Sequence, residues 1–341
     1  MKKIFCLFIS AVLLLSGCKN SDTSNATSSG RKSEGQSPVL LKITDYDENA
    51  KLVSWTEYDY SATHQVKWQK YDANNQSEGY GIKEYTDDGI LISDCSYNAD
   101  GEPVDEYAYA ETGTLLKKGN YYYDEDGTLS DKYIWTYNDD GTEDTCEMLY
   151  TFQGKISHFK SKMYYSESGI PLKETWYNYA NDSTYDSASF ICNESGQVTK
   201  EVDYLSTGEI YQTKTYKYDE YGNEIEQTWS NGNWWKDAYD KNGNKTESRN
   251  SFGELYVYAY DDNGNELKVR YTEEGSPESN YSRESTYDEY GRCIEVKTTY
   301  PYASENDVDT ITEYGDYGEV LKETSSYGNG HMLYSVYEYK Y

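Results

Sequence analysis

The sequence predicts an all-β protein, built as a repetitive antiparallel β-hairpin meander or as a solenoid-like sheet. Three observations predict this fold class. Tyrosine supplies 42 of the 341 residues and proline only 5, the pattern Tyr-x-x-x-Gly recurs along most of the chain, and aromatic residues often alternate with polar ones. Tyrosine is enriched in strands and glycine in turns. The aromatic content of 16% argues against disorder, although the net charge is −30.

The recurring pattern has the chemistry of a hairpin turn. In Tyr123–Gly127, as in many copies, an acidic residue or asparagine follows the tyrosine and glycine closes the segment. Asp at the first position and Gly at the fourth favour a type I turn, with glycine supplying the positive φ of a following bulge. About a dozen residues often separate successive glycines, which leaves room for one strand of ordinary length. Residues 39–341 are therefore predicted to form one β-repeat array.

Aromatic residues spaced by two positions are predicted to share one face of the sheet. Trp135/Tyr137 and Tyr216/Tyr218 are examples. Cross-strand aromatic pairs contribute roughly 0.2 to 1 kcal/mol each, so such a sheet can hold together with few aliphatic residues. We interpret this tyrosine stripe as structural, with a ligand platform as the alternative.

Four copies carry the fullest form of the pattern. They are the segments 216–223, 239–244, 260–265 and 287–292. Tyr218, Tyr239 and Tyr260 lie 21 residues apart. This pattern resembles the YD repeat of the RHS family, whose core is Tyr-Asp-x-x-Gly followed by Arg or Asn. The resemblance implies a spiral or meandering β-sheet, used in large family members as a shell around a toxin and often linked to carbohydrate or surface contact. The array here is too short for a closed shell, so we expect the architecture without the toxin role.

The N-terminal residues have the pattern of a secretory signal. Met1–Lys3 is positively charged, and the mainly apolar run Ile4–Leu15 that follows is too short to span a bilayer. The segment Leu15–Cys18 reads Leu-Ser-Gly-Cys, which resembles the lipobox of bacterial lipoproteins. The resemblance implies that residues 1–17 are a signal peptide and that Cys18 is acylated and begins the mature chain. An ordinary cleaved signal with an incidental cysteine is the alternative.

Residues 18–38 are predicted to be a lipidated, flexible tether. They are rich in Ser, Asn, Thr and Gly and contain no periodic apolar residues. We therefore expect a lipid-anchored, extracytoplasmic protein of the bacterial cell envelope that contacts the bilayer through Cys18. The sequence leaves open whether that membrane is the inner or the outer one.

Charge and motif content exclude several functions. A net charge of −30 repels phosphate backbones, so nucleic acid is not an expected partner. His64, His158 and His331 lie far apart with no second ligand at metal spacing, which predicts no zinc site. Acidic turns such as 124–127 lack the spaced ligands of an EF-hand, so turn propensity explains them, with weak calcium binding as an alternative. Because no catalytic or nucleotide-binding motif is found, we expect no enzyme activity and no cofactor.

Four cysteines lie within the predicted array. They are Cys95, Cys146, Cys192 and Cys293, and in an exported chain they would allow three disulfide pairings. Their wide spacing is not typical of a compact disulfide framework. The pattern therefore favours free thiols and leaves the pairing open.

Together these features predict a non-catalytic envelope lipoprotein whose Tyr-rich, acidic surface serves binding or adhesion. The alternative is a carbohydrate-binding repeat module, because Trp229, Trp234 and Trp235 are candidates for stacking on sugar rings. The expected partner is a neutral glycan or a basic protein surface, since aromatic residues supply contact area and acidic residues steer cationic partners.

Overall fold

The computed structural model describes residues 38–152, 155–275 and 280–340. The candidate signal peptide, Cys18 and the predicted tether up to residue 37 lie outside the described residues. No helix among the described residues is long and apolar enough to cross a membrane.

Residues 39–236 and 335–340 form the larger of two compact units. Its strands are β1 (Val39–Asp47), β2 (Leu52–Asp59), β3 (Gln65–Asp72), β4 (Ser77–Tyr85), β5 (Leu91–Asn98), β6 (Pro103–Tyr109), β7 (Leu115–Tyr123), β8 (Leu129–Tyr137), β9 (Glu143–Phe152), β10 (Lys155–Tyr165), β11 (Pro171–Asn178), β12 (Ser183–Cys192), β13 (Val198–Tyr204), β14 (Ile210–Tyr218) and β15 (Glu224–Trp229). The first residues of β16 (Trp234–Tyr239) belong to the same unit.

Residues 237–334 form the smaller unit. After the end of β16, its strands are β17 (Lys245–Asn250), β18 (Glu254–Tyr260), β19 (Glu266–Glu273), β20 (Tyr281–Tyr287), β21 (Cys293–Thr299), β22 (Val308–Tyr314), β23 (Val320–Tyr327) and the beginning of β24 (Met332–Lys340). A short 3-10 helix, Ser304–Asn306, precedes β22.

Strands that follow one another along the chain pair with one another. In the larger unit, each strand from β1 to β15 forms an antiparallel ladder with the next strand in the sequence, so that the last of these pairs is β15 with β16. The last residues of β24 also lie in this unit, where Ser335 Oγ donates to Asp45 Oδ1 of β1 at 2.6 Å. Antiparallel ladders also join the strands of the smaller unit. The predicted all-β, repetitive hairpin architecture is confirmed.

The Tyr-Asp-x-x-Gly-Asn pattern is the local cause of these hairpins. At Asp219, the backbone N–H donates to Asn223 O at 3.0 Å, and Gly222 N donates back to Asp219 O at 3.2 Å. The carboxylate Oδ1 of Asp219 accepts the backbone N–H groups of Tyr221 and Asn223, both at 2.9 Å. Gly222 has a φ of +89°, which an L side chain adopts only with strain. The ladder then shifts by one residue at Tyr218, so the predicted turn with its bulge is confirmed here.

The tyrosine of the pattern ties neighbouring strands together. In six copies, the phenol at the end of one strand donates to the carbonyl of the first residue of the preceding strand. These bonds are Tyr123 to Pro103 (2.9 Å), Tyr165 to Glu143 (2.7 Å), Tyr218 to Val198 (2.8 Å), Tyr260 to Lys245 (2.9 Å), Tyr287 to Glu266 (3.1 Å) and Tyr314 to Cys293 (3.0 Å). Each bond caps a carbonyl next to a turn.

Aromatic ladders stabilise the sheet where an aliphatic core is lacking. Among the described residues, the buried hydrophobic ones are only Cys146, Ala188, Val202 and Val269. In the smaller unit, the rings of Tyr256, Tyr271, Tyr281 and Tyr300 follow one another at centroid distances of 4.8, 5.6 and 6.0 Å. Because these tilted rings pack on one another, their faces are largely used within the sheet. The arrangement supports the structural interpretation of the tyrosine stripe.

Candidate functional site

The three candidate tryptophans do not share one face of the sheet. On β15, Gln227 and Trp229 lie on the same face, and Gln227 is paired with Trp235, whereas Trp234 is paired with Thr228. Because side chains alternate along a strand, Trp229 and Trp235 point to one face and Trp234 to the other. All three are half-buried. The ring of Trp234 is also covered by Lys236 Nζ, 5.2 Å from its centroid.

An open groove of about 780 Å³ lies in the larger unit, between two turns on the same edge of the sheet. The first turn, residues 193–197, joins β12 to β13, and the second, residues 219–223, joins β14 to β15. The groove is lined by residues of both turns and of the adjoining strands, namely Asn193, Ser195, Gln197, Thr199, Tyr216, Lys217, Tyr218, Asp219, Glu220, Tyr221, Gly222 and Ile225. We call it the turn groove.

Direct hydrogen bonds hold the two turns at a defined distance. Gln197 Nε2 donates to Gly222 O at 3.0 Å. The phenol of Tyr218 donates to Val198 O at 2.8 Å. Within the first turn, Asn193 Oδ1 accepts the backbone N–H groups of Ser195 and Gln197 at 3.1 and 3.0 Å. The groove is therefore formed before any ligand arrives, which lowers the entropic cost of binding.

A compact charged cluster lies next to the groove, on the face that Tyr216 shares. Lys214 Nζ lies 2.7 Å from Glu201 Oε1 and 3.2 Å from Asp203 Oδ2, and the Tyr216 phenol donates to Glu201 Oε2 at 2.6 Å. The register pairs Glu201 with Lys214 across the strands. Sequence reasoning did not single out this cluster, because acidic residues are too frequent along the chain for any pair to stand out.

Burial and hydrogen bonding shift the ionisation of this cluster. Burial, reinforced by the neighbouring Glu201 carboxylate, raises the pKa of Tyr216. Burial and Glu201 likewise raise the pKa of Asp203. Burial disfavours the ionised form of Glu201, but hydrogen bonds from Lys214 and Tyr216 stabilise that form more strongly. The pKa of Glu201 therefore lies below its ordinary value. The cluster therefore keeps Tyr216 as a neutral phenol and holds its hydroxyl in place.

The acidic residues at one edge of the larger unit form a row, which we call the acidic edge. It consists of the six turns that follow β4, β6, β8, β10, β12 and β14. Their exposed acidic residues are Asp87, Asp88, Glu111, Asp139, Asp140, Glu167, Glu194 and Glu220. These six turns, all within the described residues, contain no Lys or Arg. Because alternate strands lie roughly 10 Å apart, the row is an extended negative surface rather than a compact ion site.

Histidines and cysteines take structural positions. His64 Nε2 lies 3.2 Å from Asp87 Oδ1, and the His158 ring stacks on Tyr179 with centroids 3.8 Å apart. No group of three or more His, Cys, Asp or Glu side chains in the described part of the chain could hold a metal ion. No disulfide joins any of Cys95, Cys146, Cys192 and Cys293 to another. Burial raises the pKa of the Cys146 thiol to about 12.

Comparisons with known proteins give low-scoring structural similarities. No family model matches the sequence, and no curated protein matches it. The TcdB2-TccC3-Cdc42 structure is similar at a TM-score of 0.29 and 15% identity, over 83% of this chain and 18% of the other. The Photorhabdus luminescens Tc holotoxin pore has a TM-score of 0.27 and 15% identity, over 82% and 18%. A porin-like protein from Bacteroides uniformis has a TM-score of 0.24 and 9% identity, over 89% and 99%. The chain thus spans 18% of each of these two toxin-complex chains, and these scores assign no family.

Proposed function

We propose that this chain is a non-catalytic bacterial envelope lipoprotein, anchored in the membrane through acylated Cys18. Its β-hairpin array, of the RHS-like YD type, displays a Tyr-rich, acidic surface for binding or adhesion. A negatively charged chain on a tether is repelled by anionic lipid, so the array projects away from the membrane and meets partners in solution or on another surface.

The acidic edge is the observation that carries this proposal. Its carboxylates are exposed and follow one another from turn to turn without an intervening cation in those turns. Such a row attracts basic partners over distance and speeds their association. Many other acidic residues stabilise the fold itself. Asp219, for example, accepts a backbone hydrogen bond in its turn, and Glu226 forms an ion pair with Lys217.

A carbohydrate-binding repeat module is the second candidate, and the turn groove favours it. The groove combines tyrosine rings with amide and hydroxyl groups, which is the mixture of apolar and polar surface that sugar rings contact. Weak calcium binding is a less favoured addition, because turn carboxylates such as Asp219 and Asp240 are already occupied by backbone N–H groups.

Binding of the full chain to two probes tests the proposal. An oligolysine peptide and a set of uncharged oligosaccharides are titrated at low and at high salt, in a detergent without a sugar headgroup. We expect binding to at least one probe without turnover, and oligolysine binding weakened by salt because the screening length falls from about 10 Å at 0.1 M to 3 Å at 1 M. No binding to either probe, or product formation from a bound sugar, would overturn the proposal.

A matched pair of variants tests the acidic edge. The triple change Glu111→Gln, Glu167→Gln and Glu194→Gln removes three exposed charges from the acidic edge. The control changes Asp100→Asn, Glu125→Gln and Glu209→Gln remove three exposed charges from turns at the opposite edge. Oligolysine affinity should fall much more in the first variant than in the control. Equal losses would mean that net charge, and not the acidic edge, attracts the peptide.

A further inference from the structure

We propose that the turn groove is a binding site for an uncharged oligosaccharide, with the ring of Tyr221 as its stacking surface. This inference rests on the proposed binding function and names a ligand class and a site for it. It does not involve the three tryptophans, which are divided between the two faces of the sheet.

The first argument is the exposure of Tyr221. Its side chain lines the groove and is 73% exposed, the highest value among the large hydrophobic side chains of the described residues. Its backbone N–H donates to Asp219 Oδ1 at 2.9 Å, so the backbone from which the ring projects is fixed in the turn. A tyrosine side chain has only two χ angles to order, so it supplies contact area at low entropic cost.

A second copy of the same five residues provides an internal comparison. Tyr-Asp-Glu-Tyr-Gly occurs at 218–222 and again at 287–291. In the second copy, the guanidinium of Arg292 lies over the ring of Tyr290, with Cζ 5.0 Å from the centroid. In the first copy the matching position is Asn223, whose side chain donates to Asp219 Oδ2 at 2.9 Å instead. Both rings are therefore exposed, Tyr221 at 73% and Tyr290 at 61%, and they differ in that a guanidinium lies over one face of the Tyr290 ring.

The charges around the groove disfavour an anionic ligand. Lys217 is paired with Glu226 at 3.0 Å. The Asp219 carboxylate accepts three hydrogen bonds within its own turn. The Glu194 and Glu220 carboxylates of the two turns are exposed, and they can accept hydrogen bonds from sugar hydroxyls and repel anions. An aromatic face beside such hydrogen-bonding groups suits a polyhydroxylated ring.

The test is a titration of the full chain, in detergent without a sugar headgroup, with neutral hexasaccharides of β-linked glucose, mannose, galactose and N-acetylglucosamine. For whichever of these sugars binds, Tyr221→Ala should weaken binding by roughly tenfold, the loss of one aromatic contact. Tyr221→Phe should keep most of the affinity, because the ring rather than the hydroxyl carries the contact. Tyr290→Ala is the matched control and should leave the affinity unchanged.

The outcomes separate this inference from the proposed function. If a sugar binds and Tyr221→Ala binds it as well as the original chain does, the groove assignment is wrong while the binding function stands. If only oligolysine binds, the sugar inference is wrong and the acidic edge becomes the binding surface. If neither the sugars nor oligolysine bind, the sugar inference and the proposed binding function are both wrong. Because Tyr221 is exposed, its substitution should leave folding intact, which circular dichroism checks.

Discussion

Replacing Gly264 by valine should destabilise one hairpin of the smaller unit by a predictable amount. Gly264 closes the turn between β18 and β19, where its N–H donates to Asp261 O at 3.1 Å and its φ is +85°. A Cβ at this position would meet only the side chain of Asn244, at 3.7 and 4.0 Å, which is ordinary contact. The cost therefore comes from the backbone alone, about 1 to 3 kcal/mol for a β-branched residue at positive φ.

The chain contains its own control for this substitution. Asn75 occupies the equivalent turn position after Asp72, with a φ of +67° and its N–H donating to Asp72 O at 3.0 Å. Asparagine is among the residues that tolerate this conformation best. Gly264→Asn should therefore cost clearly less than Gly264→Val, which separates backbone strain from any general effect of adding a side chain.

Native-state amide hydrogen exchange is the appropriate assay, because repeat arrays are coupled mainly to their nearest neighbours and need not unfold in one step. Gly264→Val should lower protection in β18 and β19 and leave the amides around Tyr97 unchanged. Unchanged protection of Asn265 and Glu266 in the valine variant would refute the strain argument. An equal loss around Tyr97 would refute the local coupling.

Three further predictions concern a phenol hydrogen bond, a turn carboxylate and the proposed lipid anchor. Tyr218→Phe removes the bond to Val198 O and should lower local protection there by about 1 kcal/mol, whereas Tyr221→Phe, at an exposed phenol, should not. The backbone and side-chain donors of Asn244 lower the pKa of Asp240. The stability that the ionised Asp240 carboxylate contributes is therefore complete above the ordinary pKa of 3.8 and is lost as the pH falls through the lower pKa of the folded state. Asp240→Asn should remove this acid sensitivity from the amide exchange rates of the turn, measured after division by the intrinsic rates at each pH. Cys18→Ser should leave an unprocessed or soluble chain, and unchanged partitioning into the detergent phase would contradict the lipid anchor.

The local pattern of the sequence was sufficient to predict the strands and turns. The hydrogen bonds of each turn run between residues at most four positions apart, as between Asp219 and Asn223, so their chemistry is contained in one copy of the pattern. Period-two alternation also predicted that Tyr216 and Tyr218 share a face, and both are half-buried while Lys217 between them is exposed. These properties depend on near neighbours in the chain, which a single sequence displays directly.

The site depended on contacts that the sequence does not display. Trp229, Trp234 and Trp235 were predicted from residue type, but the pairing of β15 with β16 divides them between the two faces of the sheet. Glu201, Lys214 and Tyr216 were not predicted as a cluster, because only the register of β13 on β14 brings them together. Residue type identifies candidate site residues, whereas the register of the paired strands determines which of them are in contact.

By itself, the sequence determined that this chain forms an all-β array of hairpins with glycine-closed turns, because those features arise from local backbone preferences and short-range hydrogen bonds. Only the tertiary structure placed Tyr221 beside a groove. The segments 218–222 and 287–291 are identical, and the cation over the Tyr290 ring comes from the next residue of the sequence, Arg292, where the first copy has Asn223. The groove itself exists because Gln197 and Tyr218 join two turns that lie about twenty-five residues apart in the chain. Such long-range hydrogen bonds form only once the strands are paired in register.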